Sequence, residues 1–178
     1  MKKLMFFLVL LLPAVAVSAQ TNRQVFEIAS EAITQRNNAE DYLKNAGLKF
    51  VKDNTNDTYK PAAYLPSYYQ CIRRAIYVDS QNRLWSYMSV GVPESSDGNW
   101  LITVQFEFSS SNALYADMTT AGFKQIGIDE NTKDIIWRKF IRRYYSEMYD
   151  EEVEEYVTAR MLVLNMGSQY IGVITFIV

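Results

Sequence analysis

The chain has 178 residues, 18 Lys and Arg against 20 Asp and Glu, one Cys and no His. Without an imidazole, Ser-His-Asp and Cys-His catalysis are excluded and the commonest metal ligand is missing. The mild acidity argues against nucleic acid as a partner, because phosphate binding needs a basic excess. A single thiol, Cys71, leaves no intramolecular disulfide, so apolar burial has to hold the fold, and 49% hydrophobic residues supply the material.

Lys2 and Lys3 precede an apolar run broken by Pro13, and Val17, Ser18 and Ala19 stand before the polar Gln20. A charged start, a short apolar stretch and small residues at its end predict a secretory signal over 1–19, cut to release a protein that works in the bacterial periplasm or outside the cell. The run over 4–19, about 16 residues, is shorter than the roughly 20 that span a bilayer as a helix, so no stable membrane anchor is expected after cleavage. Lipidation would need a Cys where Gln20 stands.

Val25, Phe26, Ile28, Ala29, Ala32 and Ile33 recur at helical spacing and predict an amphipathic helix over 23–36. Asn37 and Asn38 interrupt it or cap a second helix through Ala39, Tyr42 and Leu43, closed by Gly47. From Leu48 the period becomes two, and the polar cluster 53–57 predicts a hairpin turn into a strand over 59–65, which Pro61 and Pro66 make an edge or an irregular one. Strands over 69–78, 84–92 and 100–108 follow as a meander. Ser109, Ser110, Ser111 and Asn112 offer N-caps for a short helix through Leu114, Tyr115 and Met118 that ends at Gly122. Strands over 123–128 and 134–141 flank the turn 129–132, and the acidic stretch 147–155 separates them from two last strands, 156–165 and 170–178. The final strand is apolar on both sides, as a central, doubly covered strand would be.

The two halves share more than their element order. Ala46-Gly47-Leu48-Lys49 matches Ala121-Gly122-Phe123-Lys124, and after a two-residue offset Asn54-Thr55-Asn56-Asp57 matches Asn131-Thr132-Lys133-Asp134. Each match falls at the same place in a helix, Gly, strand, turn, strand series. The pattern predicts an internal duplication: two α-β-β-β-β units, 20–110 and 111–178, sharing one core as an α+β fold, with one compact domain over 20–178 as the alternative. At this level the order is similar to that of secreted inhibitors with tandem helix-plus-four-strand repeats, the beta-lactamase inhibitor proteins, although no motif of that family accompanies it.

For function, the most distinctive segment is Trp137, Arg138, Arg142, Arg143, Tyr144 and Tyr145, with Phe140 and Ile141 interleaved. As a strand it would send Trp137 and Arg138 to opposite faces; as a helix, Ile136, Phe140 and Tyr144 would share a stripe. Arg and aromatic residues are what protein interfaces favour, and the competing reading is that the acidic run 150–155 neutralises the arginines. Tyr, at 13 residues, also clusters at Tyr64, Tyr68, Tyr69 and at Tyr144, Tyr145, Tyr149, and its rigid amphipathic ring suits adhesive patches. These residues predict a non-catalytic module that binds a protein or peptide, with a glycan-binding module or a carboxylate-dependent glycan hydrolase as the alternative, and a structural accessory of an envelope assembly as a third. They call for no cofactor or metal.

Overall fold

The computed structural model describes residues 21–55, 69–92, 98–108, 110–165 and 170–178. The signal segment 1–19 and the strand expected over 59–65 lie outside the described residues. Among the described residues, three α-helices and eight strands build an α+β fold: α1 (Asn22–Thr34), α2 (Ala39–Asn45), β1 (Lys49–Asp53), β2 (Gln70–Val78), β3 (Leu84–Gly91), β4 (Gly98–Phe108), α3 (Ser111–Thr120), β5 (Lys124–Ile128), β6 (Ile135–Ser146), β7 (Glu151–Asn165) and β8 (Tyr170–Ile177). No helix among the described residues is long and apolar enough to cross a membrane.

α1 starts where Thr21 and Gln24 form a capping box: the Gln24 N–H donates to Thr21 Oγ1 at 3.3 Å, and the Thr21 N–H donates to Gln24 Oε1 at 2.8 Å. Its apolar stripe, Val25, Phe26, Ala29, Ala32 and Ile33, is fully buried, as the spacing predicts. A 3-10 turn over Arg36–Asn38 passes the chain to α2, which buries Ala39 and Leu43. α2 and α3 then end alike. The N–H groups of Ala46, Gly47 and Leu48 donate to the carbonyls of Tyr42, Lys44 and Leu43, as those of Ala121, Gly122 and Phe123 do to Asp117, Thr119 and Met118. Both glycines sit at φ +91°, the left-handed cap that glycine takes without a Cβ clash.

All strands are antiparallel neighbours in one sheet of order β1-β2-β3-β4-β8-β7-β6-β5. Two four-strand meanders therefore meet at a seam between β4 and β8, which makes β8 central as expected, while among the described residues the helices cover one of its two faces. At the seam Thr103 stands opposite Thr175, their hydroxyl oxygens 3.1 Å apart, and Ile102 opposite Phe176 is matched on the far side by Val104 opposite Ile174. The outer strands β1 and β5 each carry one bulge, at Val51 and at Ile126. Bulges and the edge lysines Lys49, Lys52 and Lys124 discourage pairing with another sheet.

Side chains at alternate positions face the helices. Ala75, Tyr77, Trp85, Tyr87, Ile102 and Val104 from the first meander and Trp137, Val157, Ala159, Met161, Ile174 and Phe176 from the second join one core cluster with the helices. On the opposite face, left open among the described residues, a smaller cluster of Met88, Val90 and Leu101 packs with Tyr69, Cys71 and Ile177. Burial raises the Cys71 thiol above its ordinary pKa, which leaves it a poor nucleophile.

Two boundaries differ from those expected of the sequence by more than two residues. The strand expected over 134–141 runs on through Ser146, and the acidic residues 151–155 do not separate strands but form the first third of β7. Pairing explains both: Arg142 and Arg143 stand opposite Glu155 and Glu154, so opposite charges facing one another favour strand where neither segment alone does.

Candidate functional site

The first meander turns from β2 to β3 through a tight loop at 79–83, whereas the second grows an arm at the same place. β5 stops pairing with β6 at Lys124 opposite Arg138, and β8 stops pairing with β7 at Ile177 opposite Thr158. Beyond these points residues 139–157 form a two-stranded hairpin, with β6 and β7 paired only to each other among the described residues. Asp150 closes the turn at φ 54°, a conformation that Asp tolerates better than most residues.

Charged pairs stiffen the arm and fix it to the body. Arg142 Nε donates to Glu155 Oε2 at 2.6 Å, and Arg36 Nη2 donates to Glu155 Oε1 at 2.7 Å. Arg36 itself lies over the Trp100 ring, 5.4 Å from its centroid. The cost of burial opposes ionisation of Glu155, but the hydrogen bonds from Arg142 and Arg36 outweigh it and hold the carboxyl below its ordinary pKa. On the other face Arg143 pairs with Glu154, which also accepts from the Tyr156 hydroxyl. The acidic run thus pairs across the strands with the arginines.

The arm's end is apolar and exposed. Met148 is 83% exposed, Tyr149 67% and Tyr145 58%, and the Tyr145 hydroxyl donates to Asp150. At its base, on the open face, Arg138 lies over the Tyr156 ring at 5.2 Å and Phe140 meets the same ring edge-on at 5.7 Å. These residues, with Lys124, Ile126 and Arg143, line a shallow corner of about 700 Å³ between the start of β5 and the arm.

Of the residues expected from the sequence, Arg138, Arg142, Arg143, Tyr144 and Tyr145 belong to the arm or its base. Trp137 does not: it is 3% exposed, points to the helices and packs against Tyr115. Strand alternation sends it inward as it sends Arg138 outward. Met148, Tyr156, Lys124 and Arg36 complete the surface. The arm's length was the signal that could have found the first two, since it sets which residues lie at a tip and which at a base.

Elsewhere, carboxylates serve structure. Asp79 is buried yet held below its ordinary pKa, since the Trp85 indole, the Arg83 side chain and backbone N–H groups outweigh its desolvation. Asp129 is drawn down to about 2, first by the Thr132 N–H and then by Arg160 and the Asn131 N–H. All carboxylates with a clear shift among the described residues, Glu40, Asp53, Asp79, Asp129, Glu154 and Glu155, are shifted downward. No group of three or more His, Cys, Asp or Glu among the described residues could hold a metal. No family model matches the chain, and no match is found among curated proteins or among solved structures.

Proposed function

We propose that this chain is a non-catalytic binding module that engages a protein or peptide partner through the β6–β7 arm, in the periplasm or outside a bacterial cell after loss of residues 1–19. The observation that carries the proposal is an arm with ion-paired sides and an apolar end, in which Tyr145, Met148 and Tyr149 are left to solvent. Rigid amphipathic rings on a pre-ordered support lose little entropy on binding. A glycan hydrolase is less well supported. It needs a proton-donating carboxyl with a raised pKa, and the clearly shifted carboxylates described here go the other way. A sugar platform is also less well supported, since Tyr144 and Tyr145 are consecutive in a strand and leave on opposite faces.

The same reading includes a duplication of an α-β-β-β-β unit. It is supported by the matching glycine caps, the bulges at the third residue of each edge strand and the Thr103–Thr175 register. On that view the arm is what the second unit has and the first lacks, which places function where the copies diverge. Affinity capture from the native envelope, with the mature chain as bait, tests the proposal. Replacing Tyr145, Met148 and Tyr149 together by Ser abolishes the specific capture while thermal unfolding stays unchanged. Capture that survives the replacement removes the arm from the proposal.

A further inference from the structure

Lys124 and Arg138 face one another directly across β5 and β6. Like charges opposite each other in a sheet are destabilising, and neither residue has a carboxylate partner among the described residues; Arg138 has only the Tyr156 ring. Immediately past this pair β5 ends, and β6 runs on over 139–146 with β7 as its one strand partner among the described residues. Gly122 and Phe123 lie against the Lys139 side chain, so it is from Phe140 onward that the outer side of β6 has no strand neighbour among the described residues, with two cations that lack a carboxylate partner at its entrance.

The side chains along β6 alternate in kind as well as in direction. On the open face Arg138 and Phe140 are followed, after the bulge at Ile141, by Arg143 and Tyr145. That face therefore reads cation, ring, cation, ring, and Tyr156 on β7 backs the first ring. Phe140 is 51% exposed there, in the corner that Lys124, Ile126 and Arg138 share.

We infer that this corner receives an extended acidic segment of the partner protein, which adds as a strand to the outer edge of β6 in line with β5. Main-chain hydrogen bonds to 140–146 supply affinity, and alternate side chains supply specificity. The segment carries an apolar residue against Phe140; two positions before it, where Lys124 already fills the place beside Arg138, the segment leaves the sheet and an acid there reaches both cations, and an acid two positions after it joins Glu154 on Arg143. The inference rests on the arm as the binding element and adds the chemical class of what the arm binds.

The test uses short fluorescein-labelled peptides with the full mature chain, read by anisotropy. One peptide has Glu, Val and Glu at alternate positions with Thr and Ser between; a second has the same composition with the acids moved together to one end. The first binds, and binding weakens about tenfold in each of Lys124→Glu and Arg138→Glu, the size expected for losing one charge-assisted contact. It also slows hydrogen exchange of amides within 140–146. Equal binding of the two peptides, equal binding of a sulfated polysaccharide, or affinity unchanged in both charge-reversed variants overturns the inference. Failure of the peptides while the Tyr145, Met148 and Tyr149 replacement still abolishes capture defeats the strand-addition inference alone. Survival of capture in that replacement defeats the arm reading itself.

Discussion

Glu155 is the residue on which the arm's direction depends. Its side chain is 12% exposed and accepts from Arg142 on the neighbouring strand and from Arg36 between α1 and α2. Two cations on one partly buried carboxylate contribute more than either exposed pair would. Glu155→Gln keeps the shape and removes the charge, and we expect a loss of about 1–2 kcal/mol, read by urea unfolding at neutral pH. Because the folded-state pKa of Glu155 lies below its ordinary 4.5, the contribution is complete above that value and is lost as pH falls through the lower, folded value. Unfolding curves at pH 7 and pH 3 should therefore differ less for Glu155→Gln than for the unmodified chain; an equal difference would show that Glu155 is not a source of the acid sensitivity. Part of this site was legible in the sequence. The arginines and the acidic run invited pairing, and the register joins them. The Arg36 contact was not legible, because 119 residues separate its partners and only the fold brings the end of α1 to the arm.

At the scale of the element, helix ends were read well and the long hairpin was not. Gly47 and Gly122 stand at polar-to-alternating transitions, a local signal that glycine chemistry explains, and both occupy the left-handed cap. A Cβ at Gly47 meets nothing within 4 Å, and one at Gly122 makes ordinary contact with the Lys139 chain at 3.6 Å. Space is thus not the obstacle, and backbone strain alone sets the penalty. Gly47→Ala and Gly122→Ala should each cost about 1 kcal/mol, equal within error, in denaturant unfolding. A loss at Gly122 several times that at Gly47 would mean that Lys139, whose Nζ donates to the buried Ser30 at 3.1 Å, had been displaced. The strand over 135–146 escaped a unique reading because Ile136, Phe140 and Tyr144 fit a helical stripe as well as Trp137 and Lys139 fit strand alternation. Local periodicity is degenerate there, and the cross-strand charges of β7 decide it.

The whole molecule is held across its midline. α1 belongs to the first half in sequence, yet Phe26 reaches the Phe176 ring of β8 at 6.4 Å, and Ser30 receives Lys139 of β6. The seam between β4 and β8 adds an eight-residue ladder, from Leu101 opposite Ile177 to Phe108 opposite Tyr170. A chain cut at 109 would turn β4 and β8, each paired on both sides in the intact chain, into edge strands. The second piece would also lose α1 as the cover for Phe176, which is fully buried in the intact chain. Units of this size bury too little apolar surface to tolerate such a loss. We therefore expect residues 20–109 and 110–178, made separately, to lack the near-ultraviolet circular dichroism of packed aromatic rings, and their equimolar mixture to regain it with a single cooperative unfolding transition. A half that unfolds cooperatively as a monomer would show that the seam and α1 are dispensable, and that each α-β-β-β-β unit carries a sufficient core of its own.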